Sequence, residues 1–251
     1  MDNGLEQAAS YLRNARRVAV LTGAGVSKES GVPTYRDALT GLWSRYSFEE
    51  LASPEGFQRN PAAVWTWYTE RREQLAHVEP NPGHIALAQF EALFERWDLI
   101  TQNVDDLHER AGSARVCHLH GRLMETKCFA DCRGAPTLIA PEAFVNGAQP
   151  PPTCPYCGSW LRPNVVWFGE MLALNDLIIA QDAAEECDVM LVVGTSGLVF
   201  PAANLPNTAA QNGAAVIEVN PEATDISRIA NVSLRGPSGT LLPMLLEWVR
   251  A

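Results

Sequence analysis

Val18-Ala19-Val20-Leu21 is an unbroken apolar run that ends at Thr22 and meets Gly23-Ala24-Gly25. Such a run reads as a buried strand, and the glycines directly after it read as the turn that stops it. The same kind of segment recurs. Strand-like stretches lie at Leu99-Ile100-Thr101, Val116 to Leu119, Asn164 to Trp167, Val189 to Val193 and Ala215 to Val219. Helical patterns lie at about 4–15, 82–97, 173–186, 201–212 and 239–250. Strand alternating with helix predicts an α/β fold with a doubly wound parallel sheet. A chain of 251 residues has room for such a domain and a small satellite.

Two stretches depart from the alternation. Residues 40–80 read as helical throughout, and residues 122–162 carry four of the six cysteines, several prolines and little periodicity. We expect the sheet domain over 1–39, 81–121 and 163–251. The helical module 40–80 and the cysteine module 122–162 are expected to pack together as the small domain.

Glycines after a buried strand let the backbone approach a pyrophosphate, whose charge suits oriented N–H groups. Gly23, Ala24, Gly25 and Ser27 are therefore candidate dinucleotide contacts. A third glycine is usual in that pattern, and Lys28 stands in its place. Alone, Gly-x-Gly is an ordinary strand-to-helix turn in roughly half of cases. The polar, glycine-broken segment Glu29 to Asp37 reads as a loop that closes over a ligand. Two later strand ends add to the reading: Val193 runs into Gly194-Thr195-Ser196, and Val219 runs into Asn220-Pro221-Glu222. Ligands of open α/β sheets bind at such strand ends.

Gln102, Asn103 and Asp105 follow another strand, with Val104 among them. Their side chains can hydrogen-bond sugar or amide. His118-Leu119-His120-Gly121 ends the next strand, where His120 is a candidate general base. His77, His84 and His108 read as structural histidines.

Cys128, Cys132, Cys154 and Cys157 form two close pairs, a pattern that suits tetrahedral zinc with no open position. The metal is then structural. Cys117 and Cys187 read as buried free thiols. The formal net charge of −10 argues against nucleic acid and anionic membranes as partners, and favours basic peptides or proteins. No secretory leader or membrane span is read, so a cytoplasmic monomer is expected.

In order along the chain, Gly23-Ala24-Gly25-Val26-Ser27 to Arg36, Thr101-Gln102-Asn103-Val104-Asp105, His118-Leu119-His120-Gly121, the cysteine quartet, Leu161 to Glu170 and Gly194-Thr195-Ser196 resemble the sirtuin motifs. The resemblance covers about residues 15–240. It implies a Rossmann-type NAD-binding domain, a small zinc domain and NAD-dependent removal of acyl groups from protein lysines. NAD would be consumed, with release of nicotinamide and an O-acyl-ADP-ribose. His120 would be the general base, with Asn103 beside it in the chemistry. Gly23, Ala24, Gly25, Ser27, Pro33, Thr34, Tyr35, Arg36, Trp43, Gln102, Asn103, Val104 and Asp105 would line the NAD cleft. Gly194, Thr195, Ser196, Asn220, Pro221, Glu222 and Ser238 would hold its adenosine and phosphate side. Val166, Phe168, Gly169 and Glu170 would grip the acyl-lysine peptide, partly by main-chain pairing.

Val64, Tyr68, Arg71 and Leu75 share one face of the helix expected over 61–78. An arginine in an apolar stripe needs an anionic partner or a path to solvent. Tyr-x-x-Arg here resembles the class III sirtuin motif, which implies binding of the carboxylate of succinyl- or malonyl-lysine, with some deacetylation retained. Other readings are an acetyl-lysine deacetylase, an NAD-dependent ADP-ribosyltransferase, a dehydrogenase and a zinc-ribbon adaptor. The missing third glycine weighs against the dehydrogenase, and the polar strand ends weigh against the adaptor.

Overall fold

The computed structural model describes residues 2–33 and 48–251. Thr34, Tyr35, Arg36 and Trp43 therefore lie outside the described residues. In chain order the strands are β1 (Arg17–Thr22), β2 (Arg96–Thr101), β3 (Val116–His118), β4 (Gly121–Cys128), β5 (Leu161–Val165), β6 (Val189–Val193), β7 (Ala215–Val219) and β8 (Val232–Leu234). The α-helices are α1 (Asp2–Arg13), α2 (Phe48–Leu51), α3 (Pro54–Arg59), α4 (Pro61–Ala76), α5 (Pro82–Glu91), α6 (Leu107–Arg110), α7 (Leu174–Glu186), α8 (Leu205–Gln211) and α9 (Ser238–Arg250).

Six strands form one sheet in the order β3-β2-β1-β6-β7-β8, and every pairing in it is parallel. Successive residues of β1 serve opposite faces, as strand geometry demands. Val18 and Val20 pack into a cluster with α1, α5 and α9. Ala19 and Leu21 pack into a second cluster with α7 and α8. The sheet is covered on both sides, which explains why its central strands are apolar throughout. Each Val, Leu or Ile side chain covered in this way contributes about 1.5–3 kcal/mol.

Strand order turns at β1, with β2 on one side and β6 on the other. Thr22 pairs with both Thr101 and Val193, so β1, β2 and β6 end level. Their following loops therefore meet at one edge, the crevice where doubly wound sheets bind ligands.

A second body is built from α2, α3 and α4 against β4 and β5. Phe57, Val64, Tyr68, Leu75, Leu123 and Trp167 form its buried cluster. The helix starts are written locally. Ser53 Oγ accepts from Gly56 N at 3.0 Å ahead of Pro54, and Asn60 Oδ1 accepts from Ala63 N at 3.2 Å ahead of Pro61. Both follow the rule of a capping side chain followed by proline in the first turn.

Several expectations change. The strand expected at Asn164 to Trp167 is β5, which covers Leu161–Val165 and leaves the parallel sheet to pair antiparallel with β4. Pro163 inside it suits an edge position. The helix expected over 82–97 ends at Glu91, and Arg96 already begins β2. His118 is in a strand but His120 lies beyond its end, so the two do not share a strand face. β4 and β8 had no counterpart in the sequence reading. Among the described residues no helix is long and apolar enough to cross a membrane.

Candidate active site

The loops after β1 and β6 touch through backbone. Gly25 N donates to Gly194 O at 2.8 Å, and Gly23 N donates to Val193 O at 3.1 Å. A Cβ on Gly25 would sit 2.7 Å from Gly194 Cα, and one on Gly194, at φ +61°, would sit 2.4 Å from Val26 N. Neither position has room for a side chain. Ala24, Gly25 and Val26 form one short 3-10 turn. Lys28 is exposed on the next one, and Pro33 is exposed just beyond it.

Gln102 crosses to the β6 side: its Nε2 donates to Thr195 Oγ1 at 2.9 Å. Asn220 Nδ2 donates to Thr195 O at 2.9 Å, which ties the loop after β7 to the same place. Ser196 and Asn220 are half-buried, and Pro221 and Glu222 are exposed beside them. Three strand ends expected to act together are thus hydrogen-bonded to one another.

Beneath the glycine loop lies a buried polar cluster. Asn103 Nδ2 donates to Ser27 Oγ at 3.1 Å, and Ser27 Oγ donates to Asp105 Oδ2 at 3.1 Å. The serine has one hydrogen, so it receives rather than gives toward His84 Nε2, 3.3 Å away. His84 Nδ1 accepts from Asn81 N, which completes the start of α5. Burial raises the Asp105 carboxyl above its ordinary range. Burial also pushes His84 down to about 4, so it stays neutral and structural. Val104 sits in this turn, where its carbonyl accepts from Leu123 N.

His120 follows β3 and is half-buried. Its Nδ1 lies 2.9 Å from Gln102 O. A carbonyl only accepts, so Nδ1 carries the proton and Nε2 keeps its lone pair. Burial lowers the His120 pKa, against the carbonyl bond, which raises it. The ring is therefore a neutral base at physiological pH. His118 faces elsewhere, with Nε2 2.8 Å from Glu109 Oε1 and Nδ1 3.2 Å from Asn103 O.

The expected substrate residues fall between the two bodies. Val166 N donates to His120 O at 2.9 Å, and Phe168 N donates to Ala52 O at 2.9 Å. Gly169, at φ +87°, turns the chain back. The Glu170 carboxylate accepts from Trp167 N at 2.8 Å and from Arg162 Nη2 at 3.0 Å, so it braces this turn from within. On α4, Tyr68 is buried, and its hydroxyl accepts from Trp167 Nε1 at 2.8 Å. Arg71 lies half-buried over the Trp67 ring, 4.9 Å from its centroid.

Ser238 opens α9, and its Oγ donates to Glu29 Oε1 at 3.2 Å. Gly239 N donates to the same oxygen at 2.8 Å. Glu29 and Trp167 were not singled out from sequence. Their partners lie 209 and 99 residues away, beyond the reach of any local pattern.

The four cysteines converge: all their Sγ atoms lie within 4.8 Å of one another. Cys128 and Cys157 are 3.6 Å apart, and Cys132 and Cys154 are 3.8 Å apart. Four sulfurs at about 2.3 Å around one tetrahedral zinc stand about 3.8 Å from each other. The residues fit a structural zinc. Burial raises the two remaining thiols, Cys117 to about 12 and Cys187 to about 11, which leaves them inert.

The Sir2 family pattern matches residues 23–201. The chain is 49% identical over 248 residues to an NAD-dependent protein deacylase of Methylococcus capsulatus, covering 98% of this chain and 97% of that protein. It is 51% identical over 232 residues to one of Mycobacterium tuberculosis, covering 92% and 97%. A crystal structure of a Sir2 homolog–NAD complex superposes with a TM-score of 0.89 at 46% identity, over 98% of this chain and 93% of that one. The structure of Sir2Af2 bound to a myristoylated histone peptide superposes with a TM-score of 0.78 at 38% identity, over 100% and 98%. With the loops of β1, β2, β6 and β7 joined at one edge and four cysteines converging in the β4–β5 segment, the chain belongs to the Sir2 family, the sirtuins, and is an NAD-dependent deacylase of acyl-lysine proteins.

Proposed function

We propose that this deacylase prefers acidic acyl groups, removing succinyl and malonyl from protein lysines and acetyl to a lesser degree. One observation carries the preference. Among the described residues, no carboxylate lies within ion-pair distance of the Arg71 guanidinium and no acceptor hydrogen-bonds it; Asp105 acts on it only through space, and burial pushes its pKa down. An arginine held partly out of water without a directly bonded anion is costly. A carboxylate at the end of the acyl chain would supply the missing partner, and a planar fork suits it.

The meeting of the strand-end loops supports the remaining assignments. The backbone of Gly23, Ala24 and Gly25, with Ser27, Pro33, Gly194, Thr195 and Ser196, would hold the pyrophosphate and adjoining ribose. Asn220, Pro221, Glu222 and Ser238 would line the adenosine side. Gln102, Asn103, Val104 and Asp105 would surround the nicotinamide and its ribose. The acyl oxygen would displace nicotinamide from the ribose carbon; His120 Nε2 would then take a proton from a ribose hydroxyl, the resulting alkoxide would attack the acyl carbon, and water would complete release of free lysine and O-acyl-ADP-ribose. The backbone of Val166, Phe168 and Gly169 would pair with the peptide, with Glu170 bracing the turn. The parallel sheet with its covering helices would then form the NAD-binding domain, and α2, α3 and α4 with β4, β5 and the cysteine segment would form the small domain, so that 163–167, expected with the sheet, fall with the small domain.

The test compares succinyl and acetyl versions of one peptide. Arg71→Met should lower the succinyl-to-acetyl ratio of kcat/KM roughly 10- to 100-fold, the range for charge-assisted hydrogen bonds. An unchanged ratio would remove the assignment.

A further inference from the structure

Arg71 supplies charge, but the Tyr68 hydroxyl beside it can point its hydrogen in more than one direction. A phenol oxygen holds one hydrogen and can also accept. An indole nitrogen only donates. Trp167 Nε1, 2.8 Å from the Tyr68 oxygen, therefore fixes that oxygen as the acceptor on its side. The Tyr68 hydrogen must leave in another direction, and no described residue receives it. Tyr68 keeps that hydrogen at working pH, because burial raises the phenol to about 12.

The indole is itself locked. Trp167 is 2% exposed and packs its ring 5.3 Å from Phe57 and 6.2 Å from Tyr68. The Arg162 guanidinium lies over it, 3.3 Å from the ring centroid. Arg162 is held by the Glu170 carboxylate and by Val165 O, and Glu170 also takes the backbone N–H of Trp167. The turn that receives the peptide and the phenol on α4 are thus one hydrogen-bonded unit.

We propose that Trp167 is a positioning residue for acyl specificity. By donating to Tyr68 it leaves the phenol hydrogen free to be given, together with the Arg71 guanidinium, to the carboxylate of an acidic acyl chain. An acetyl group has no carboxylate to receive it. The inference rests on the reading of Tyr68 and Arg71 as the carboxylate site.

Trp167→Phe removes the N–H and keeps an aromatic ring. With succinyl peptide it should raise KM about 5- to 10-fold while kcat moves less than about twofold, in line with the loss of one hydrogen bond. The succinyl-to-acetyl ratio of kcat/KM should fall by the same factor. Tyr68→Phe should do likewise, and the double variant should be no worse than either single one. Equal losses on both peptides, an unchanged succinyl KM, or additive effects would overturn the proposal. If Trp167→Phe does not fold, Tyr68→Phe decides, and an unchanged succinyl KM again overturns it. Arg71→Met separates the two levels. If that variant loses the succinyl preference while Trp167→Phe keeps it, only the present inference falls. If Arg71→Met keeps the preference, the carboxylate site itself falls.

Discussion

The imidazole of His120 is anchored to the backbone of Gln102, with Nδ1 2.9 Å from the carbonyl oxygen. Because the acceptor is main chain, the tautomer does not depend on the Gln102 side chain, which reaches away to Thr195. Nε2 is left with its lone pair. Its pKa is lowered by burial, so the neutral ring is the form present at neutral pH. Turnover should therefore be lost as pH falls through that lowered value, with the acid limb below the ordinary histidine value of about 6.5. His120→Ala should reduce kcat by about 10²- to 10⁴-fold and erase the limb. A profile of kcat/KM against pH in both proteins checks this, and an acid limb that persists in the variant would assign it to another group.

The crossing of Gly25 and Gly194 should be as sensitive as the base. Gly25→Ala places a methyl 2.7 Å from Gly194 Cα, against backbone that cannot swing aside. We expect a loss of about 1–3 kcal/mol in stability and a large rise in the KM for NAD. Gly31→Ala is the comparison. Gly31 has φ +91°, but nothing lies within 4 Å of a Cβ there. It should cost about 1 kcal/mol of backbone strain, with far less effect on NAD. Urea unfolding and NAD titration measure both.

The cysteine quartet predicts about one zinc per chain. Cys154→Ser, at a position only 2% exposed, should release the metal and lower the melting temperature. Activity should fall with it, because β4 and β5 link the cysteines to His120 and to the peptide turn. Metal analysis beside thermal unfolding is the check. Zinc content unchanged in the variant would contradict the ligand set.

Acid should destabilise the fold in a window set by buried histidines. Burial depresses His84 to about 4 and holds His108 well below its ordinary value. In the unfolded chain both take protons near pH 6.5. Their contribution is complete above about pH 6.5 and is lost as pH falls toward about 4. His84 alone accounts for about 3 kcal/mol across that span. Urea midpoints at pH 7.5 and 4.5 should differ accordingly, and His84→Gln should narrow the difference.

Legibility followed sequence distance. β6 and β7 are legible with their observed bounds because both are apolar runs closed by small or polar residues. β4 escaped because a register shift between Arg122 and Thr126 breaks its alternation. β8 has only three residues, too few to show a period. The end of α5 is hidden in the sequence because Phe94 and Trp97 extend its apolar pattern. They stack instead on Phe90, with centroids 6.5 and 5.7 Å from it. At the site, the residues of each loop were visible as short motifs. The bonds between loops were not: Gly25 to Gly194, Glu29 to Ser238 and Trp167 to Tyr68 join segments that no periodicity connects.

NAD is consumed in removing acyl groups from lysine, and acidic acyl groups are proposed to be preferred. Nicotinamide release should be measured on one peptide carrying acetyl-, malonyl- or succinyl-lysine, with NAD saturating. Release should require acyl-lysine, with kcat/KM for succinyl and malonyl about tenfold or more above acetyl, the size of one charge-assisted contact. Equal or higher kcat/KM on the acetyl peptide would contradict the preference, and release without any acyl-lysine would contradict the reaction.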